Sequence, residues 1–381
     1  MNKYRIWISP PHLSGKEIDF VKDAFDKNWV TTMGDNVTGF ENDLQSFLGG
    51  KNDVVALNSG TSALHLALML LGVGKGDWVL CQDFTFAATI NPVVYLEAEP
   101  VLVDSEPLTW NISPEFLEEA VMDCICKGKK PKAVVWVNLY GMPAQIDKIQ
   151  AIAQKYEIAL LEDAAESLGS AYNGQKCGTF GDASVISFNG NKIITSSGGG
   201  ILVSPDKEMI NKARFLASQA RDEALWYQHS QIGYNYGMSN IVAGVGRGQM
   251  TVLENRIEAR RAINRYYRET FASIPGIRVH TEPDERFFSN HWLSCILVNP
   301  ELTGGIDNAF LREKLAGKGI ESRFLWKPMH NQPIFENGRF YGEHVSDELF
   351  KTGLCLPSGS NLNQNELDEI ADCIISNIGK Y

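Results

Sequence analysis

Residues 158–169 read Ile158-Ala159-Leu160-Leu161-Glu162-Asp163-Ala164-Ala165-Glu166-Ser167-Leu168-Gly169. The four apolar residues fit a short buried strand, and the run ends on carboxylates. In an α/β sheet the carboxyl ends of the strands open on the ligand crevice, so Asp163 is placed to face a ligand. Taken alone, it reads more simply as a helix N-cap or turn aspartate. Its neighbours decide between the two.

Outward from this segment the same texture repeats. Short apolar runs rich in β-branched residues occur at Val54–Leu57, Trp78–Cys81, Pro100–Val103, Ala133–Val137 and Ala183–Ser187. Helical patterns separate them, clearest at Ser62–Leu71 and at Ser14–Trp29, where Ile18, Val21, Phe25 and Trp29 fall on one face. Alternation of this kind predicts an α/β fold with a mainly parallel sheet covered by helices. After Asn240 comes a long helical stretch through Met250, Leu253, Ile257 and Ile263, with Arg256, Arg260, Arg261 and Arg265 interleaved; the basic run reads as a solvated helix face. From about Pro275 a strand (His291–Val298) and two helices (Asn308–Gly317, Asn365–Ile378) suggest a smaller α+β domain. The expected division is a large domain over 1–240 and a helical connection with the small C-terminal domain over 241–381.

The chain has 381 residues, 44% apolar and 21% charged, as expected of an ordinary globular protein with a sizeable core. Acidic residues outnumber basic ones 46 to 35, giving a net charge of −11 that would repel a phosphate backbone, so a nucleic-acid partner is not expected. The first residues reach Pro10 and Pro11 without a signal-peptide core, and the most apolar stretch, Ala63–Val73, is too short to cross a bilayer. The seven cysteines are scattered, with no Cys-x-x-Cys, and read as reduced thiols of a cytoplasmic enzyme with no metal site.

Two further segments carry chemistry. Ser187-Phe188-Asn189-Gly190-Asn191-Lys192-Ile193-Ile194 opens from a strand into the Gly-rich turn Gly198-Gly199-Gly200. Lys192 is flanked by apolar Ile193 and Ile194, which would partly desolvate it, and desolvation lowers an amine's pKa as a Schiff-base lysine requires. Upstream, Asn58-Ser59-Gly60-Thr61-Ser62 joins a strand to a helical run. Small residues there expose backbone N–H groups at a helix start, a favourable seat for phosphate, although an ordinary capped turn would use the same residues. It is neither a dinucleotide fingerprint nor a Walker loop. A phosphate cup, a strand-end aspartate and a later lysine together meet the needs of pyridoxal 5′-phosphate.

At this point the sequence resembles the DegT-type nucleotide-sugar aminotransferases, a branch of the fold-type-I, aspartate aminotransferase-like enzymes. The resemblance runs over nearly the whole chain. It rests on Leu57–Leu64, Asp83–Thr89, Leu139-Tyr140-Gly141, Glu162–Glu166, Gly178–Asp182, Ser187–Gly200, Gly233-Tyr234-Asn235-Tyr236 and Trp326-Lys327-Pro328-Met329-His330. It implies that Lys192 forms the internal aldimine and then carries the proton shift, while Asp163 keeps the pyridine nitrogen protonated. Phe86 would stack on the ring; Gly60, Thr61, Ser62 and Ser187 would hold the phosphate, and Asn235 would add to it from a neighbouring subunit of a homodimer. Position 166 holds Glu, and position 189 Asn, where relatives often carry His or Gln and His; Gly237 stands where Arg is usual. Glu166 and Asn189 would thus lie beside the cofactor, and Arg221, Arg323, Lys327 and His330 are the candidates for the sugar nucleotide. The implied reaction moves an amino group from L-glutamate to the 4-keto group of a nucleotide-linked 4-keto-6-deoxy sugar. The wording is closest to enzymes acting on UDP-linked N-acetylhexosamines in bacillosamine-type pathways. GDP- or dTDP-linked sugars are the alternative substrates, and a non-catalytic sugar-nucleotide-binding regulator is the alternative class. A nicotinamide oxidoreductase lacks its fingerprint, and sugar dehydration in this family replaces the lysine with histidine.

Overall fold

The computed structural model describes residues 4–378; residues 1–3 and 379–381, the two ends of the expected domains, lie outside the described residues. In chain order the strands are β1 (Asp53–Leu57), β2 (Trp78–Gln82), β3 (Glu99–Val103), β4 (Ala133–Val137), β5 (Ala159–Asp163), β6 (Ala171–Tyr172), β7 (Gln175–Lys176), β8 (Ala183–Ser187), β9 (Gly200–Ser204), β10 (Ile277–Val279), β11 (Phe287–Phe288), β12 (Ser294–Val298), β13 (Arg323–Phe324), β14 (Arg339–Tyr341) and β15 (Gly353–Leu356). Eight of them form the main sheet in the order β1-β9-β8-β5-β4-β2-β3-β14. Only β9 runs against its neighbours there, pairing antiparallel with β1 and β8. The sheet is therefore mainly parallel, and every apolar run quoted from the sequence is one of its strands.

Side-chain alternation explains why the runs are apolar throughout. Val55 and Leu57 of β1, Val79 and Cys81 of β2, and Val185 of β8 pack on one face, with the helices Gly60–Leu70 and Lys207–Ala217. Val54 and Ala56, and Ile186, point to the opposite face with Phe40 of the helix Asp35–Phe47, while Trp78 and Leu80 meet the helices Pro114–Cys126 and Ile146–Tyr156. A strand covered on both faces has no polar side to show.

The small sheet, β10-β12-β15-β13, is antiparallel and backed by the helices Leu253–Phe271 and Gln364–Ile378. The chain does not divide cleanly between the two sheets. β14 leaves the C-terminal part to extend the main sheet beside β3, and at the other end Ile6 bridges to Ile320.

Two patterns differ from their sequence reading. In the helix Glu17–Asp26 the buried residues are Glu17 and Ala24, while Ile18 and Phe25 are exposed, as is Trp29 just beyond it. Small residues cause this, because the facing helix Asn240–Met250 presents glycines: a Cβ on Gly248 would lie 2.6 Å from the Glu17 nitrogen. The carboxylate of Glu17 also takes the N–H groups of Ser14 (2.7 Å) and Gly15 (2.9 Å), which satisfies it inside. The arginine run is likewise not a solvated face. Arg260 is fully buried, Arg256 donates to the carbonyls of His12 and Leu13, and Arg261 pairs with Glu282 at 2.6 Å; only Arg265 stands exposed.

Candidate active site

β1, β5 and β8 run in the same direction, so Asn58, Asp163 and Ser187 lie at one edge of the sheet. A cavity of about 460 Å³ opens there, outside the carboxyl ends of the strands. A larger open groove of about 790 Å³ lies elsewhere, around Arg278 and Lys351, but lacks the lysine and buried carboxylates that gather at the strand ends.

The cavity's phosphate-sized end is the start of the helix Gly60–Leu70. Ser59 caps it, its Oγ accepting the Ser62 N–H at 3.0 Å. Gly60 and Thr61 line the cavity together with Ser59, Ser187 and Asn189. Ser62 is buried behind them, its hydroxyl 2.9 Å from that of Ser59, and is not among the lining residues. A Cβ on Gly60 would come to 3.2 Å from the Ser187 Cβ, so glycine lets the helix start close against β8. On the other side of the opening Gly199, at φ +146°, turns the chain where a Cβ would meet Met238 and Ser196 at 2.6 Å.

Asp163 is buried at the end of β5. Its Oδ2 accepts the Thr89 hydroxyl at 2.8 Å and its Oδ1 the Ala165 N–H at 3.1 Å. Burial raises its pKa, and the Thr89 hydroxyl, the Ala165 N–H and the Lys192 ammonium offset only part of that. Glu166 behaves similarly: burial pushes it up, the Lys192 charge and the Tyr140 N–H (2.7 Å) oppose this, and the nearby Asp163 adds to it. The extra carboxylate at position 166 is thus paired. Its Oε1 lies 3.5 Å from Lys192 Nζ, and the lysine, with 13% of its side chain exposed, also stands 4.4 Å from the centre of the Trp292 ring. Ile193 and Ile194 are buried beside it.

Phe86 is 51% exposed and 5.1 Å from the ring of Trp326, an aromatic at the cavity rather than in the core. Arg323 lines the cavity, though its Nε and Nη2 are held by Glu321. The remaining expected substrate contacts lie outside the lining. Arg221 sits in an exposed loop with its guanidinium over Tyr227, and Lys327 is exposed. His330 is taken up as a latch: its Nδ1 meets Asp83 Oδ2 at 2.8 Å, its Nε2 meets Asp347 Oδ2 at 3.1 Å, and its ring lies 4.3 Å from that of Phe340. Carboxylates on both ring nitrogens leave it no free polar atom for a sugar nucleotide. Asn235 lines a shallow depression with Thr32 and Ser239 that adjoins the cavity through Asn58 and Gly198, its carbonyl accepting from Asn58 Nδ2 at 3.2 Å. Thr89, Trp292 and Trp326 also line the cavity; Thr89 and Trp326 lie in segments that carry the family resemblance but were given no role of their own, and only Trp292 lies outside every quoted motif.

The sequence pattern of the DegT/DnrJ/EryC1/StrS aminotransferase family matches residues 11–375. The chain belongs to that family. DegT-family relatives include EpsN of Bacillus subtilis strain 168, whose name reads pyridoxal phosphate-dependent aminotransferase, 47% identical over 97% of this chain and 95% of its own. The GDP-perosamine synthase of Caulobacter vibrioides is 33% identical over 96% of each chain. Among solved structures, a DegT-family aminotransferase from Brucella abortus superposes with a TM-score of 0.89 at 30% identity over 96% of each chain. The protein is thus a pyridoxal phosphate-dependent sugar aminotransferase of the aspartate aminotransferase-like fold. The residues present fit that cofactor: an amine, a buried carboxylate, an exposed aromatic ring and an uncovered helix start surround one cavity. Among the described residues no helix is long and apolar enough to cross a membrane.

Proposed function

We propose that this DegT-family enzyme takes the amino group of L-glutamate and delivers it to the 4-keto group of a nucleotide-linked 4-keto-6-deoxy sugar, with a UDP-linked N-acetylhexosamine as the preferred substrate. The observation that carries the reading is Lys192, an amine held 3.5 Å from Glu166 in the same cavity as buried Asp163. The cofactor supplies an aldehyde conjugated to a ring that can accept an electron pair. Lys192 Nζ would hold the cofactor through its aldehyde and would give and take the proton that amino transfer moves, while Asp163 would face the ring nitrogen and favour its protonated form. Phe86 would cover the ring, and the N–H groups of Gly60 and Thr61, with the Ser187 hydroxyl and Asn189, would receive the phosphate. Arg323, which lines the cavity while paired with Glu321, would be the first cation to meet the sugar diphosphate, and Arg221 and Lys327 would serve it only across a subunit boundary or after a movement of their loops.

A homodimer completes the site in this reading. Ile18, Phe25, Trp29, Leu225, Trp226 and Ile232 are all exposed, the kind of side chain that a subunit interface covers, and the last of them lies three residues before Asn235. With its acidic charge and unpaired cysteines the enzyme is assigned to the cytoplasm, without nucleic-acid or membrane partners.

A GDP-linked sugar is the second reading, favoured by the likeness to GDP-perosamine synthase. The deciding experiment is a panel of UDP-, GDP- and dTDP-linked 4-keto-6-deoxy sugars, with the glutamate half-reaction followed by cofactor absorbance. The expected result is conversion by glutamate and highest kcat/KM for a UDP-sugar. A stronger GDP or dTDP preference overturns the UDP assignment, and failure of glutamate to convert the bound cofactor overturns the choice of donor.

A further inference from the structure

The helix Leu253–Phe271 carries one arginine wholly inside the protein. Arg260 is 1% exposed, and among the described residues no carboxylate pairs with it. Its Nη1 donates to the Trp292 carbonyl, its Nη2 donates to Ser9 Oγ at 2.9 Å, and its buried Nε has no hydrogen-bond partner. The charged neighbour acting on it is a second cation, Arg256. Burying an unpaired cation is costly, and two neutral acceptors do not offset that cost. Stability alone gives no reason for an arginine here.

The groups it holds converge on one atom. Ser9 Oγ–H donates to the Asn191 carbonyl at 2.7 Å, and Trp292 Nε1–H donates to the same oxygen at 2.7 Å. Asn191 immediately precedes Lys192, whose Nζ lies 4.4 Å from the centre of the Trp292 ring. Arg260 therefore reaches, through Ser9, the turn that presents the reactive amine, and holds the backbone of Trp292, whose indole faces that amine.

We propose that Arg260 is a positioning residue for amino transfer, which through Ser9 and Trp292 fixes the Asn191–Lys192 turn. The fixing is done by a continuous set of hydrogen bonds, Arg260 to Ser9 and the Trp292 carbonyl, and Ser9 and the Trp292 indole to the Asn191 carbonyl.

The test in the cofactor-loaded enzyme reads kcat and KM for the amino donor, beside the affinity for pyridoxal phosphate and Tm. Arg260→Met should lower kcat about tenfold with KM changed less than about twofold, as misplacement of a reacting group does. Arg260→Lys keeps a donor and should recover part of kcat. Ser9→Ala keeps Arg260 and cuts one link, so kcat should fall with cofactor affinity changed less than about twofold. A folded Arg260→Met with parental kcat overturns the proposal. If Arg260→Met does not fold, a Ser9→Ala enzyme with parental kcat overturns it just as fully.

Discussion

Replacing Thr89 by Val tests how the site keeps Asp163 ionised inside a buried cavity. The Thr89 hydroxyl donates to Asp163 Oδ2 at 2.8 Å and is itself 2.8 Å from the Thr85 hydroxyl, so a short buried chain ends on the carboxylate. Valine keeps the β-branched shape and removes only the donor. A hydrogen bond to a charged group contributes about 1.5–3 kcal/mol, and one pKa unit corresponds to about 1.4 kcal/mol. Asp163, already raised by burial, should rise by about one to two further units, held then mainly by the Ala165 N–H. Its grip on a protonated ring nitrogen weakens by the same amount. If all of that is felt in the proton-transfer step, kcat falls about 10- to 100-fold. The assay is stopped-flow absorbance of the glutamate half-reaction across pH, with Tm as a check on folding. The loss should be larger at low pH, where the carboxylate is protonated first. A Thr89→Val enzyme within twofold of the parent at every pH would refute the assignment of Asp163 to the ring nitrogen.

Three other outcomes are expected. Lys192→Ala should fold and bind the cofactor without a covalent link, with turnover reduced at least about a thousandfold; borohydride reduction followed by mass measurement checks the link, and substantial residual turnover places the chemistry on another residue. Phe25→Asp puts a charge on the exposed apolar face of the helix Glu17–Asp26, and sedimentation should show monomers with lowered activity; an unaltered dimer would move the interface elsewhere. For His330, burial works to lower the pKa, but the carboxylates of Asp83 and Asp347 together raise it above the ordinary histidine value. The latch therefore contributes most below about pH 6.5 and loses its contribution as pH rises through the raised value. His330→Gln should cost more Tm at about pH 6 than at about pH 8.5, and an equal cost at both would contradict the charge assignment.

The sequence by itself determined the architecture and the centre of the site. Apolar runs ending at Leu57, Leu161 and Ser187 read as doubly covered strands, and small residues after β1 read as a helix start; both are local consequences of side-chain shape and backbone geometry. The lysine and aspartate were legible for the same reason, each lying within a few residues of its strand. The tertiary structure decided which side the helices show and which cations remain free. The apolar stripe of Glu17–Asp26 faces outward because glycines on the opposing helix bring Glu17 inside. The arginine run divides by burial, with Arg260 sealed beneath Trp292 and Arg265 left outside, although the two look alike along the chain. His330, a plausible sugar contact by its motif, is consumed by Asp83 and Asp347, residues 247 and 17 positions away. Charge partners of this kind depend on distances set by packing, and packing at such separations leaves no periodic mark in the sequence.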